Sequence, residues 1–138
     1  MSRPIRNLTR ESFARYGILI EHDPAGSPGF QIVLAEEEAV GWRLAVNHVT
    51  DRTSGKVARH PNSMESFEPV WGVTLLIVAD ENPEQYEVFL LDKPVCLKRN
   101  IWHAVICLSE SSMVKIAENL EVDSEDHPFG REVGAHAD

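Results

Sequence analysis

The sequence predicts an all-β fold: one antiparallel sandwich or barrel, entered through a single short helix. Three observations predict it. After Gly17 the apolar residues change from helical spacing to strict alternation and short apolar runs. Turn-forming clusters recur between those runs, at Asp23-Pro24, Gly26-Ser-Pro-Gly29, Thr53-Ser-Gly55, Glu81-Asn-Pro83, Asp92-Lys-Pro94 and Ser109-Glu-Ser-Ser112. The gaps are too short for the crossover helices that a parallel sheet requires.

The elements follow in order. A helix is expected over 9–16, with Thr9 as its cap, Glu11 favourably placed in the first turn, and Leu8, Phe13 and Tyr16 on its buried side. Gly17 would end it in the left-handed conformation. Strands are expected over 17–21, 30–34, 42–50, 56–60, 73–79, 86–91, 104–108 and 113–120. The run over 73–79, with Thr74 inside it, is the longest apolar stretch and suits a buried strand. Glu36-Glu-Glu-Ala39 reads as an exposed acidic loop or one helical turn. The domain proper is expected over 1–122. Residues 123–138 lack apolar periodicity and are expected to form a loose acidic tail, which sets His127 and His136 aside as site residues.

Composition narrows the function classes. The chain has 138 residues and a formal net charge of −9, so no global field draws it to a phosphate backbone, and no nucleic-acid partner is expected. The charge is uneven: residues 1–20 set four arginines against Glu11, whereas residues 117–138 set seven acids against Arg131. A small anionic molecule stays open as a partner, because a local pocket can be basic in an acidic protein. Neither a signal segment nor a membrane-spanning run is legible, and Cys96 and Cys107 have no CxxC spacing. A reduced, cytoplasmic protein without membrane association is expected.

Two segments carry the candidate chemistry. In Arg59-His-Pro-Asn-Ser-Met-Glu65, a strand ends, Pro61 turns the chain and Glu65 follows five residues after His60. That spacing can place imidazole and carboxylate in one pocket, for acid–base work or for a share of a His/His/carboxylate metal site. Alternatively, Glu65 pairs with Arg59 at the surface. In Lys98-Arg-Asn-Ile-Trp-His103, a cationic turn beside an aromatic and an imidazole suits a carboxylate-bearing ligand, or is an ordinary solvated hairpin tip. His48 ends the face of Trp42, Leu44 and Val46, which would put it at a barrel mouth or among satisfied core groups.

Together these segments resemble the two halves of a cupin signature. His60 fits the second His of the first motif, Glu65 its Glu and Gly72 its Gly, while Ala58 stands where the first His belongs. In the second motif Lys98 replaces the Pro and Asn100 the Gly, and His103 keeps the His. A closer resemblance is to the ureidoglycolate lyase family, itself cupin-like. It rests on Leu8-Thr-Arg-Glu-Ser-Phe-Ala-Arg-Tyr-Gly17, on Arg59-His-Pro with Ser66-Phe67, and on Arg99-Asn-Ile-Trp-His103, over roughly residues 8–120. The chain departs from that family at Asn62-Ser63, at Glu65 where the family usually has Gln, at Leu97-Lys98, and at Ala104 in place of a second His.

The resemblance implies a cupin-type antiparallel β-barrel or jelly roll, pairing as a homodimer through edge strands. It implies a carbon–nitrogen lyase that cleaves a ureido carbinolamine carboxylate to glyoxylate and urea. His60 and His103 would share acid and base roles, Glu65 would orient an imidazole, and Arg59 and Lys98 would hold the carboxylate, with Asn100, Trp102 and His48 lining the site. A second implication is a divalent metal (Zn, Ni, Mn or Fe) held by His60, Glu65 and His103, with His48 as a fourth ligand, in a cupin acting on another small molecule. A third is a non-catalytic small-molecule binder.

Overall fold

A computed structural model describes residues 2–137. The chain runs β1 (Ser2–Arg6), α1 (Arg10–Phe13), β2 (Gly17–Leu19), β3 (Trp42–Val49), β4 (Ser54–Arg59), β5 (Glu65–Trp71), β6 (Thr74–Ala79), β7 (Glu87–Leu91), β8 (Val95–Leu97), β9 (Trp102–Cys107), β10 (Ser112–Asn119) and β11 (Glu125–His136). Two layers result. One is a five-stranded sheet in the order β2-β8-β5-β10-β3; the other closes on itself in the order β1-β11-β4-β9-β6-β7. Pairing is antiparallel throughout except at β1, which runs parallel to both β11 and β7. The all-β barrel expected from the alternation is the fold observed. No helix among the described residues is long and apolar enough to cross a membrane.

Two cores hold the layers. The first lies between them and buries Phe13 and Tyr16 with Phe67, Leu76, Val78, Phe89, Val95 and Leu97. The second fills the closed six-stranded layer with Val57, Leu75, Ile77, Tyr86, Trp102, Phe129 and Val133. Consecutive residues of a strand face opposite sides, so β6 sends Leu76 and Val78 to the first core and Leu75 and Ile77 to the second. This is why β6 is buried along its whole length. Its one polar member, Thr74, bonds the Ser112 hydroxyl at 2.6 Å.

Several expectations are corrected. The helix occupies Arg10–Phe13, a single turn, with Thr9 as the cap and Ser12 closing a capping box. Gly17 does not adopt a left-handed conformation; it opens β2, where a Cβ would lie 2.0 Å from the Cys96 carbonyl oxygen. Residues 30–34 form no strand, and Phe30 and Ile32 stand exposed. The N-terminal β1 has no counterpart among the expected elements.

The tail is not loose. Residues 125–136 form β11, laid between β1 and β4. Phe129 and Val133 drive this by burying in the second core, while Glu125 and Asp126 pair with Arg59 and Lys56 on the outside. The acids that obscured the segment are its solvent face. Gly130, at φ 73°, sits where the register with β4 shifts.

Candidate functional site

Three elements bring the site together. β4 ends at Arg59 and delivers His60; the turn after Pro61 returns the chain as β5, whose first residue is Glu65; β9 supplies His103. Ala58 lies directly across from His103 on the β4–β9 pair. The His60 and His103 rings are 4.9 Å apart, and Phe67 packs against His103 with ring centroids at 5.6 Å. Side-chain exposure is only 13% for His60, 9% for Glu65 and 10% for His103, so their mutual charges act at low dielectric.

Each imidazole is oriented from behind. His60 Nδ1 lies 3.1 Å from the Asp123 carbonyl oxygen, with the Ser124 hydroxyl at 2.9 Å, and His103 Nδ1 lies 2.9 Å from the Ile101 carbonyl oxygen. A carbonyl only accepts, so both Nδ1 atoms carry protons and both Nε2 atoms face inward. There they meet one atom: Glu65 Oε1 is 3.0 Å from His60 Nε2 and 2.9 Å from His103 Nε2. Neither ring is aligned to donate a hydrogen bond, and Oε1 is left without one. Burial disfavours the Glu65 carboxylate, yet contact with His103 and His60 outweighs it and holds the carboxyl at about 2. Contact with Glu65 in turn raises His60 against its own burial.

The hollow at this triad is closely packed, with no room for a water molecule, and is walled by Ser63, Leu97, Lys98 and Ile101. Ser63 is a wall residue that nothing in its Asn-Ser-Met context signalled; it is buried because its hydroxyl accepts from the Asn119 amide at 2.9 Å and donates to the Met64 carbonyl. Lys98 reaches the rim and donates to the Ala14 carbonyl oxygen at 3.0 Å. Asn100 adopts φ 66°, which explains an Asn where the cupin motif has Gly, and its backbone N–H donates to the His60 carbonyl oxygen. Its contribution is to the backbone that carries His60.

Three expected site residues lie elsewhere. Trp102 precedes His103 on β9 and therefore points into the second core. Arg59 stacks on Trp102 at 4.4 Å and pairs with Glu125, so it faces away from the triad instead of reaching a ligand carboxylate there. His48 lies on the exposed β3 and tilts against Trp71 at 5.8 Å. The face of Trp42, Leu44 and Val46 is likewise open to solvent, since β3 is an outermost strand and only Val49 reaches the core. Arg99 pairs with Glu36.

The same three side chains form a compact donor set. The three ligand atoms lie within 4.8 Å of one another, both imidazoles present Nε2 with Nδ1 held by carbonyls, and Oε1 is an orphaned buried acceptor. These residues fit a divalent ion.

An antiparallel barrel holding His, Glu and His between its layers defines a cupin. A dTDP sugar isomerase structure from Desulfovibrio desulfuricans G20 shares this fold, with a TM-score of 0.52 at 13% identity, covering 83% of each chain. No family model matches the chain. Among curated proteins it is 34% identical to a ureidoglycolate lyase of Rhizobium etli (strain CIAT 652), over 72% of each chain. It is 30% identical to that of Agrobacterium fabrum, over 91% of this chain and 92% of the relative. The chain belongs to the ureidoglycolate lyase family.

Proposed function

We propose that this cupin is a carbon–nitrogen lyase that releases glyoxylate and urea from ureidoglycolate. The observation that carries the reading is the convergence of His60, Glu65 and His103 on one buried point in a chain of that family. His103 Nε2 takes the substrate hydroxyl proton as the carbon–oxygen bond becomes a carbonyl. The carbon–nitrogen bond breaks with its electron pair passing to the ureido nitrogen, which takes a proton from His60 and leaves as urea. Glu65 stabilises the protonated His60 across 3.0 Å. Lys98, at the rim, is the cation for the substrate carboxylate, the role that Arg59, stacked on Trp102 and paired with Glu125, cannot fill.

Purified protein is expected to release glyoxylate and urea from ureidoglycolate above the spontaneous rate. Release at the spontaneous rate refutes the reading.

A second reading is favoured by the orphaned Oε1: His60, Glu65 and His103 would hold a divalent ion such as Zn, Ni, Mn or Fe, whose contribution is Lewis-acid polarisation of a substrate oxygen. Elemental analysis of protein purified without chelators distinguishes the two. In either case the partner is a small anionic molecule. A homodimer would use the free edge of β3, where Trp42, Leu44 and Val46 are 70%, 59% and 70% exposed. Two free thiols, at Cys96 and Cys107, accord with a cytoplasmic setting.

A further inference from the structure

The triad cavity has a much larger neighbour. Between β2 and residues 22–34 runs an open groove of about 750 Å³, and Lys98 lines both hollows. Its lining is mixed: Ile18, Leu19, Phe30, Ile32 and Val33 supply apolar surface, beside polar Arg10, Ser27 and Gln31. Phe30 and Ile32 are 87% and 74% exposed, a standing exposure of apolar surface beside the site. Lys98 stands among them without a carboxylate at ion-pair distance among the described residues, and its single hydrogen bond, to Ala14, leaves ammonium donors free. In a protein of net charge −9, an unpaired cation between a partly apolar groove and a buried triad suits a ligand with a carboxylate at one end and apolar surface along the rest. A small polar carbinolamine would leave the trough unused.

We infer that the groove takes the apolar extension of an amphipathic carboxylate whose carboxyl end sits at Lys98, facing the triad. The pairing is electrostatic at one end and hydrophobic along the rest. Glu21 and Asp23 also line the groove, and the Glu21 charge is met by Arg10 at 2.7 Å. This inference rests on reading the triad as a carboxylate-handling site; it widens the substrate class from ureidoglycolate to carboxylates with an apolar substituent.

Calorimetric titration of the full chain with octanoate, acetate and octan-1-ol tests it. Octanoate is expected to bind at least about tenfold more tightly than acetate, because its methylenes leave water. Lys98→Ala is expected to weaken octanoate at least about fivefold and to leave octanol within about twofold. Ile32→Asp and, as a second exposed variant, Phe30→Ser are expected to weaken octanoate about tenfold without altering acetate. Equal binding of acetate and octanoate, octanol matching octanoate, or indifference to both groove variants overturns the inference. So does a dimer in sedimentation that Ile32→Asp dissociates, since a second copy would then cover the groove. Turnover of ureidoglycolate is read separately in the unaltered protein. Turnover without chain-length dependence overturns the groove alone, and chain-length dependence without turnover overturns the lyase reading alone.

Discussion

Replacing Glu65 by Gln keeps the shape of the buried side chain and removes its charge. The Glu65 carboxyl, ordinarily near 4.5, is held at about 2 because two imidazoles at 2.9 and 3.0 Å outweigh its burial. A folded-state value below the unfolded one stabilises the fold above the unfolded value and is lost as pH falls through the folded value. The difference corresponds to on the order of 3 kcal/mol at neutral pH, of which about 2 kcal/mol is gone by pH 3. Urea denaturation followed by tryptophan fluorescence at pH 6 and pH 3 reads this directly. The wild type is expected to lose about 2 kcal/mol more than Glu65→Gln across that interval. An equal loss in both proteins would show that the carboxylate is not held ionised by the imidazoles, and the electrostatic account of the triad would fail. In the lyase assay the same substitution lowers the proton affinity of His60, because the anion that raised it is gone. The alkaline limb of activity, set by the protonated acid, is therefore expected to move to lower pH.

Three further outcomes are expected. His103→Ala removes the base, and glyoxylate release measured at saturating ureidoglycolate should fall at least about 100-fold with the fold intact by circular dichroism. Removing residues 123–138 strips Phe129 and Val133 from the second core and Asp123 from behind His60; it should cost roughly 4 kcal/mol in urea denaturation or leave the protein insoluble. Gly72→Ala should cost at least about 2 kcal/mol by the same measurement, because Gly72 has φ 75° and a Cβ there would lie 2.4 Å from the Ser111 carbonyl oxygen.

Alternation made the strands legible where one side of the chain meets a core. At 42–50 the alternation was real, but which face is covered depends on what lies beyond the strand, and β3 has no neighbour on its outer edge. His48 was misplaced for that reason. Arg59 and Trp102 sit next to His60 and His103 in the chain, and adjacency in a strand means opposite faces. Two cores rather than one separate them from the triad. The tail was obscured because charge dominates its composition, while only Phe129 and Val133 carry the burial.

By itself the sequence determined an all-β chain and the candidate set His60, Glu65 and His103, because alternation, turn residues and motif spacing are local properties, while the family resemblance rested on the segments 8–17, 59–67 and 99–103. Tertiary structure alone decided that these three meet at about 3 Å, that Lys98 and not Arg59 stands at their rim, and that the acidic end is a strand. Those outcomes depend on which face each strand turns toward which core. That is settled only by contacts between elements far apart in the chain.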